Sequence, residues 1–283
     1  MYVIASLLVL ASGLTHAVWN LFTKQSRNKN EFLWLIMALS CAVLLPSTVW
    51  ELATASIPPK GYGLLLLSFF FQGMYAILLS KTYDSSDLSQ VYPIMRGTGT
   101  LLIPVIGVVF LQESLSAWRW AGLVCILAGF YKLSGLSIRR SMDPALRKSI
   151  LLAFSVGLCT TGYVFIDKFN LDYISPLALL EVANLGFMAA LTPAVLRSRQ
   201  LVGEWRSNWP VLILGSVLNP GSYLLFLVAM QFAPIAQISP IREVGIVFAT
   251  FLGIAVLKEK QGKARIVSSI VIAFGIIVIS VLG

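Results

Sequence analysis

The feature that most constrains this chain is a duplication whose copies each hold an odd number of apolar segments. Arg96, Gly107, Glu113 and Gly129 recur as Arg242, Gly253, Glu259 and Gly275, each 146 residues later. Gly13 and Lys24 recur as Gly157 and Lys168 at an offset of 144, and Tyr75 recurs as Tyr223 at 148. Each copy contains five long apolar segments. A five-segment unit in a bilayer ends on the side opposite to its start, so the second copy must enter from the other side. The copies are then related by inversion, an arrangement that puts a site at their interface near the bilayer midplane.

Composition supports the bilayer. Apolar residues make up 58% of the 283-residue chain and charged residues 12%, with mean hydropathy +0.85, whereas a soluble chain is about a quarter charged. Runs near the length of a transmembrane helix recur throughout. The expected fold is an all-α polytopic membrane protein of ten transmembrane helices, arranged as two inverted five-helix repeats. The expected spans are 2–23, 31–50, 61–81, 88–111, 117–136, 149–167, 173–196, 209–231, 235–257 and 264–282. Residues 1–136 form the first repeat, 137–148 a basic linker and 149–283 the second repeat. The first segment lacks a basic leader and is interrupted by His16, Trp19 and Asn20, so it reads as a retained helix and not as a signal peptide.

The net charge of +9 does not signal nucleic acid, because the basic residues sit in short loops between apolar runs. Sixteen Lys and Arg fall in loops 1, 3, 5, 7 and 9 and three in loops 2, 4, 6 and 8. By the positive-inside rule the odd loops face the cytoplasm and both termini face outward, in a cell inner (plasma) membrane. Cys41, Cys125 and Cys159 stand singly in apolar runs, with no Cys-x-x-Cys or Cys/His spacing. They read as buried small hydrophobes, and neither a metal nor a cofactor is expected. Small residues at four-residue spacing (Ala121, Cys125, Gly129; Gly245, Ala249, Gly253) permit close helix approach, within a monomer more readily than at a dimer seam. Helices 5 and 10 are placed at the periphery.

Polar residues within the apolar runs mark the candidate site. A charge at the bilayer centre costs roughly 3 kcal/mol or more and survives by lining a cavity, pairing or snorkelling. Arg96 and Arg242 approach the midplane from opposite faces, as two halves of an anion site, and a guanidinium suits carboxylate or phosphate through paired hydrogen bonds. The competing reading ties each arginine to carbonyls freed by Pro93 and Pro240, which are expected to kink their helices. On helix 1, Gly13, His16, Asn20 and Lys24 share a face flanked by Trp19. His16 is a candidate substrate or proton contact. On helix 7, Glu181 and Asn184 share a face with Met188. An unpaired buried carboxylate is costly, so Glu181 is expected to pair with an arginine, bind a cationic group or be protonated. Tyr75, Tyr163 and Tyr223, with Trp19 and Tyr92, are expected to form an aromatic wall with hydroxyl handles. Gln72, Asn219 and Ser222 add polar groups. Glu113 and Glu259 read as structural residues at helix ends.

These residues resemble the drug/metabolite transporter superfamily, in its ten-helix EamA branch. The pattern consists of His16-Ala17-Val18-Trp19-Asn20 with Lys24, Leu111-Gln112-Glu113 closing helix 4, Leu257-Lys258-Glu259 closing helix 9, and Gly275 in helix 10. The resemblance implies an alternating-access carrier with helices 1–4 and 6–9 around a central cavity and helices 5 and 10 outside. Members move amino acids, drugs, nucleotide sugars, triose phosphates or choline. Basic cavity residues hold the anion in the phosphate carriers, and Arg96 and Arg242 are similar in kind.

The expected function is secondary transport of a small anionic or zwitterionic metabolite: an amino acid, a phosphonate or a phosphorylated compound. The substrate-binding set is Arg96, Arg242, Trp19, Asn20, His16, Tyr75, Glu181, Asn184, Tyr223 and Tyr163. A multidrug exporter of lipophilic cations is the alternative within transport, and a membrane scaffold or receptor the alternative outside it. An enzyme is not expected, since the single histidine has no nucleophile motif beside it. The partners expected are a small-molecule substrate and the lipid bilayer, with either a monomer or a dimer allowed.

Overall fold

The computed structural model describes residues 1–26, 28–85, 88–135, 144–255 and 263–283; the side chains of 20–25, 83–85, 88–90, 253–255 and 264 lie outside that description. Long apolar runs and end signals set the helices. These are α1 (Tyr2–Gln25), α2 (Lys29–Thr54), α3 (Pro59–Ser85), α4 (Leu88–Phe110), α5 (Ala117–Ser134), α6 (Pro144–Asn170), α7 (Pro176–Ser198) and α8 (Leu201–Phe232). There follow α9 (Ile235–Ile238), a 3-10 turn (Pro240–Glu243), α10 (Val244–Ala255) and α11 (Lys263–Ile277), which ends in a π turn. No strand occurs among the described residues. Among the described residues nine spans are long and apolar enough to cross a membrane, with α9 to α10 counted as one. The tenth helix, α5, carries Arg119 and Lys132 near its ends. The chain is an all-α, multi-pass membrane protein.

Helix starts follow the local chemistry. Ser116 and Ser175 accept the backbone N–H of Arg119 and Ala178, each at 3.2 Å, as N-caps, and Pro176 fits the first turn, where no N–H is needed. Pro144 likewise opens α6, so residues 144–148, expected in the linker, are helical. The rest of the linker, 137–143, lies outside the described residues. The eighth expected span starts at 209, and α8 kinks at Asn208, two residues before Pro210.

The expected kinks at Pro93 and Pro240 divide. Pro240 interrupts the ninth span with the 3-10 turn, but α4 runs unbroken through Pro93. Pro93 stands in the second turn of its helix, where it removes a single hydrogen bond near an end that already lacks partners. Pro240 comes only six residues after Pro234, the N-cap residue of α9, so a short helix without flanking turns must absorb it.

The packing obeys the duplication. Matching α1 with α6, α2 with α7, α3 with α8, α4 with α9–α10 and α5 with α11 maps each major contact onto another. Thus α1 packs on α8 as α6 packs on α3, and α1 on α10 as α6 on α4; α2 meets α7 and α5 meets α11 as self-matched pairs. The repeated glycines Gly13, Gly157, Gly129 and Gly275 lie at these crossings. A Cβ on Gly13 would come 2.5 Å from Val244 Cγ1, and one on Gly157 would come 2.4 Å from Thr98 Cβ. A Cβ on either Gly122 or Gly275 would lie 2.6 Å from the other's carbonyl oxygen, so the small residues of α5 serve contact within one chain. Glu113, three residues beyond the end of α4, accepts the N–H groups of Ile235 at 3.0 Å and Ala236 at 2.7 Å. It ties the first repeat to the start of α9, the structural role expected. Glu259 lies outside the described residues.

Candidate functional site

Two lobes of one narrow cavity lie between the repeats, each with space for a few water molecules. Both lobes are bordered by His16, Trp19, Tyr75 and Arg242. No residue of α5 or α11 lines either lobe, as expected for peripheral helices.

The first lobe centres on a charged triad. Arg96, from α4, makes a two-pronged ion pair with Glu243 of the 3-10 turn, Nε to Oε2 at 3.0 Å and Nη2 to Oε1 at 2.8 Å. The planar fork satisfies both carboxylate oxygens. Glu243 is missing from the site predicted above. Its counterpart 146 residues earlier is Gly97, so the duplication carries the arginine twice but the carboxylate once. That asymmetry is the signal by which sequence reading would find it.

Arg242 is held differently. Its guanidinium carbon lies 4.7 Å from the Phe226 ring centroid and 5.6 Å from that of Tyr223, within range for cation–π attraction. Among the described residues it pairs with no carboxylate, and its Nε has no hydrogen-bond partner. The triad therefore carries one net positive charge, on the arginine that borders both lobes.

The aromatic wall is present as a row. Tyr75 and Tyr163 meet edge to face at 5.8 Å, and Tyr163 and Tyr223 at 5.5 Å. Phe187 extends the row beyond Tyr75 at 6.2 Å, and Tyr92 lines the first lobe. The Trp19 indole N–H donates to His16 Nδ1 at 3.2 Å, which leaves Nε2 to carry the proton in neutral His16. Asn184 lines the second lobe and donates to Ser40 Oγ at 3.3 Å. The Asn20 side chain is among those not described.

Glu181 is fully buried and lines neither lobe, and among the described residues no arginine pairs with it, so the first of its three expected outcomes is not the one seen. Its polar neighbours are Cys41 and Asn184, because this face of α7 packs against α2. Arg96 finds its carboxylate in Glu243 instead. A second buried acid outside the predicted set, Asp167 on α6, accepts the Tyr223 hydroxyl at 2.5 Å.

Comparison with known proteins matches residues 147–281 to the EamA-like transporter family and residues 59–126 to the Small Multidrug Resistance protein family. The chain belongs to the EamA-type drug/metabolite transporters. A Sinorhizobium fredii protein described as "Uncharacterized protein y4nH" is 27% identical over 128 residues, which are 45% of this chain and 92% of the relative. A Bacillus subtilis protein, "Uncharacterized membrane protein YvaE", is 32% identical over 101 residues, 36% of this chain and 83% of the relative. Each relative is thus less than half as long as this EamA-type transporter, close to the size of one repeat. A solved structure described as "Crystal structure of protein" superposes with a TM-score of 0.76 over 98% of this chain and 96% of its own, at 14% identity; that likeness concerns the fold alone. Family membership makes this a membrane transporter.

Proposed function

We propose that this EamA-type transporter carries a small anionic or zwitterionic metabolite bearing a carboxylate, phosphate or phosphonate. Support comes chiefly from Arg242, a cavity-facing guanidinium without a carboxylate partner among the described residues. Arg242 holds the anionic group, and the tyrosine row receives the remainder of the molecule. Arg96 becomes a second anchor only when Glu243 releases it. Transport proceeds by rocking one repeat against the other, in an inner (plasma) membrane with loops 1, 3, 5, 7 and 9 cytoplasmic and both termini outside.

The test is the thermal midpoint of detergent-purified protein against amino acids, phosphonates, sugar phosphates and quaternary amines. A ligand that binds the folded state raises the midpoint with occupancy. Stabilisation by an anion or zwitterion that disappears in Arg242→Gln is the expected result. Stabilisation by quaternary amines alone discards the anion site. It would establish the lipophilic-cation exporter reading, which the aromatic row and the Small Multidrug Resistance match favour and the net positive charge opposes. No stabilisation by any of the four classes would favour a scaffold or receptor.

A further inference from the structure

Asp167 is fully buried on α6, three residues before that helix ends. Its Oδ2 accepts the Tyr223 hydroxyl at 2.5 Å, and its Oδ1 is 3.4 Å from Asn170 Nδ2. The buried Ser68 hydroxyl of α3 faces the same carboxyl. The adjacent cation is turned away, since Lys168 Nζ donates to the Met230 carbonyl at 2.5 Å. On α4, the other helix packed along α6, Arg96 is held by Glu243. Tyr163, on α6 itself, and Arg242 lie beyond Tyr223. No cation pairs with Asp167 among the described residues. An ionised carboxylate buried on hydrogen bonds alone is costly, and a proton removes that cost.

Tyr223 connects this acid to the cavity. Its ring borders the second lobe and lies beneath the Arg242 guanidinium. A phenol carries one hydrogen. With Asp167 ionised, that hydrogen is committed to the carboxylate, and Tyr223 offers the cavity only lone pairs. With Asp167 protonated, the carboxyl O–H donates to Tyr223 Oη, and the phenol hydrogen is free to point into the cavity. An anionic group can only accept hydrogen bonds.

We propose that Asp167 is a proton-binding site of the transport cycle, and that Tyr223 reports its protonation to the anion site by reversing its hydrogen bond. Protonation also removes a negative charge from behind Arg242. Both effects favour an anion, so proton and anion bind cooperatively, and by reciprocity the anion promotes proton uptake. This linkage rests on the anion-carrier reading; the proton site does not. The position 144 residues earlier is Thr23, so the device exists in one repeat only and distinguishes the two faces of the carrier.

The test is infrared difference spectroscopy of the detergent-purified full chain, titrated between about pH 4 and 9 to cover ordinary and perturbed carboxyl groups. The wild type should gain a protonated-carboxyl C=O band on acidification. Asp167→Asn should lose it, Glu181→Gln should keep it, and Tyr223→Phe should keep it at a shifted frequency because its partner is gone. A spectrum unchanged in Asp167→Asn overturns the proposal. If that variant does not fold, an unshifted band in Tyr223→Phe overturns it equally. A lost band together with failed anion stabilisation removes the carrier reading and leaves the proton site. An unaffected band with intact anion binding removes the proton site alone.

Discussion

The Arg96–Glu243 pair gives a quantitative test of how the two repeats are joined. Its partners belong to different repeats, their side chains are 18% and 6% exposed, and two charge-assisted hydrogen bonds link them. Removing one partner of a buried pair costs about 3–5 kcal/mol, because the survivor is left charged and unpaired. Glu243→Gln keeps shape and one neutral acceptor, so its cost falls near the lower end, about 3 kcal/mol. Arg96→Met strands the carboxylate at a similar cost. The double variant strands neither charge, so it should cost about as much as one single variant, a coupling of about 2–3 kcal/mol. The assay is equilibrium unfolding of the four proteins in mixed micelles, followed by tryptophan fluorescence. Additivity within about 0.5 kcal/mol would refute the pairing. The same substitution has an opposite functional consequence. Glu243→Gln leaves Arg96 as a second uncompensated cation, and an anion about 7 Å away at an effective dielectric near 20 gains roughly 2 kcal/mol. That is about 30-fold in affinity. A carrier variant that is less stable yet binds anions more tightly is the expected signature.

Two further outcomes check the architecture. Gly122→Leu forces a side chain into the Gly275 carbonyl 2.6 Å from its Cβ position. It should lower stability by about 1–3 kcal/mol with ligand affinity unchanged, because the α5–α11 seam lies away from the cavity; a matching loss of affinity would contradict the peripheral placement. In a background lacking Cys41, Cys125 and Cys159, a cysteine replacing Gln200 in loop 7 should react with an impermeant maleimide only after permeabilisation, and one replacing Ala55 in loop 2 should react in intact cells. The reverse pattern would invert the proposed orientation.

The helices were legible because hydropathy over a membrane's thickness is a local property, and most span limits fall within a few residues of the observed ends. The larger differences are that α6 starts five residues early, α8 begins before its kink and Pro240 breaks the ninth span. The arginines and the tyrosine row were legible because polar groups stand out in apolar runs. Their partners were not. Glu243 reads from sequence as a neighbour of Arg242, yet its carboxylate meets Arg96 from 147 positions away. Glu181 carries the same local signal as the arginines, yet its face of α7 turns to α2. Asp167 stands directly before Lys168 near a helix end, and nothing local shows that the lysine turns to the Met230 carbonyl and leaves the acid to Tyr223.

The sequence by itself therefore determined that the chain is a membrane protein, that it is duplicated, and that an odd repeat imposes inversion, since each follows from composition and counting along one dimension. Only the tertiary structure decided which charges neutralise each other, which arginine remains free and which tyrosine shields a buried acid. Those outcomes depend on the rotation and crossing of helices from different repeats, and such angles are set by packing contacts, such as those at Gly13 and Gly157, that join residues far apart in the chain.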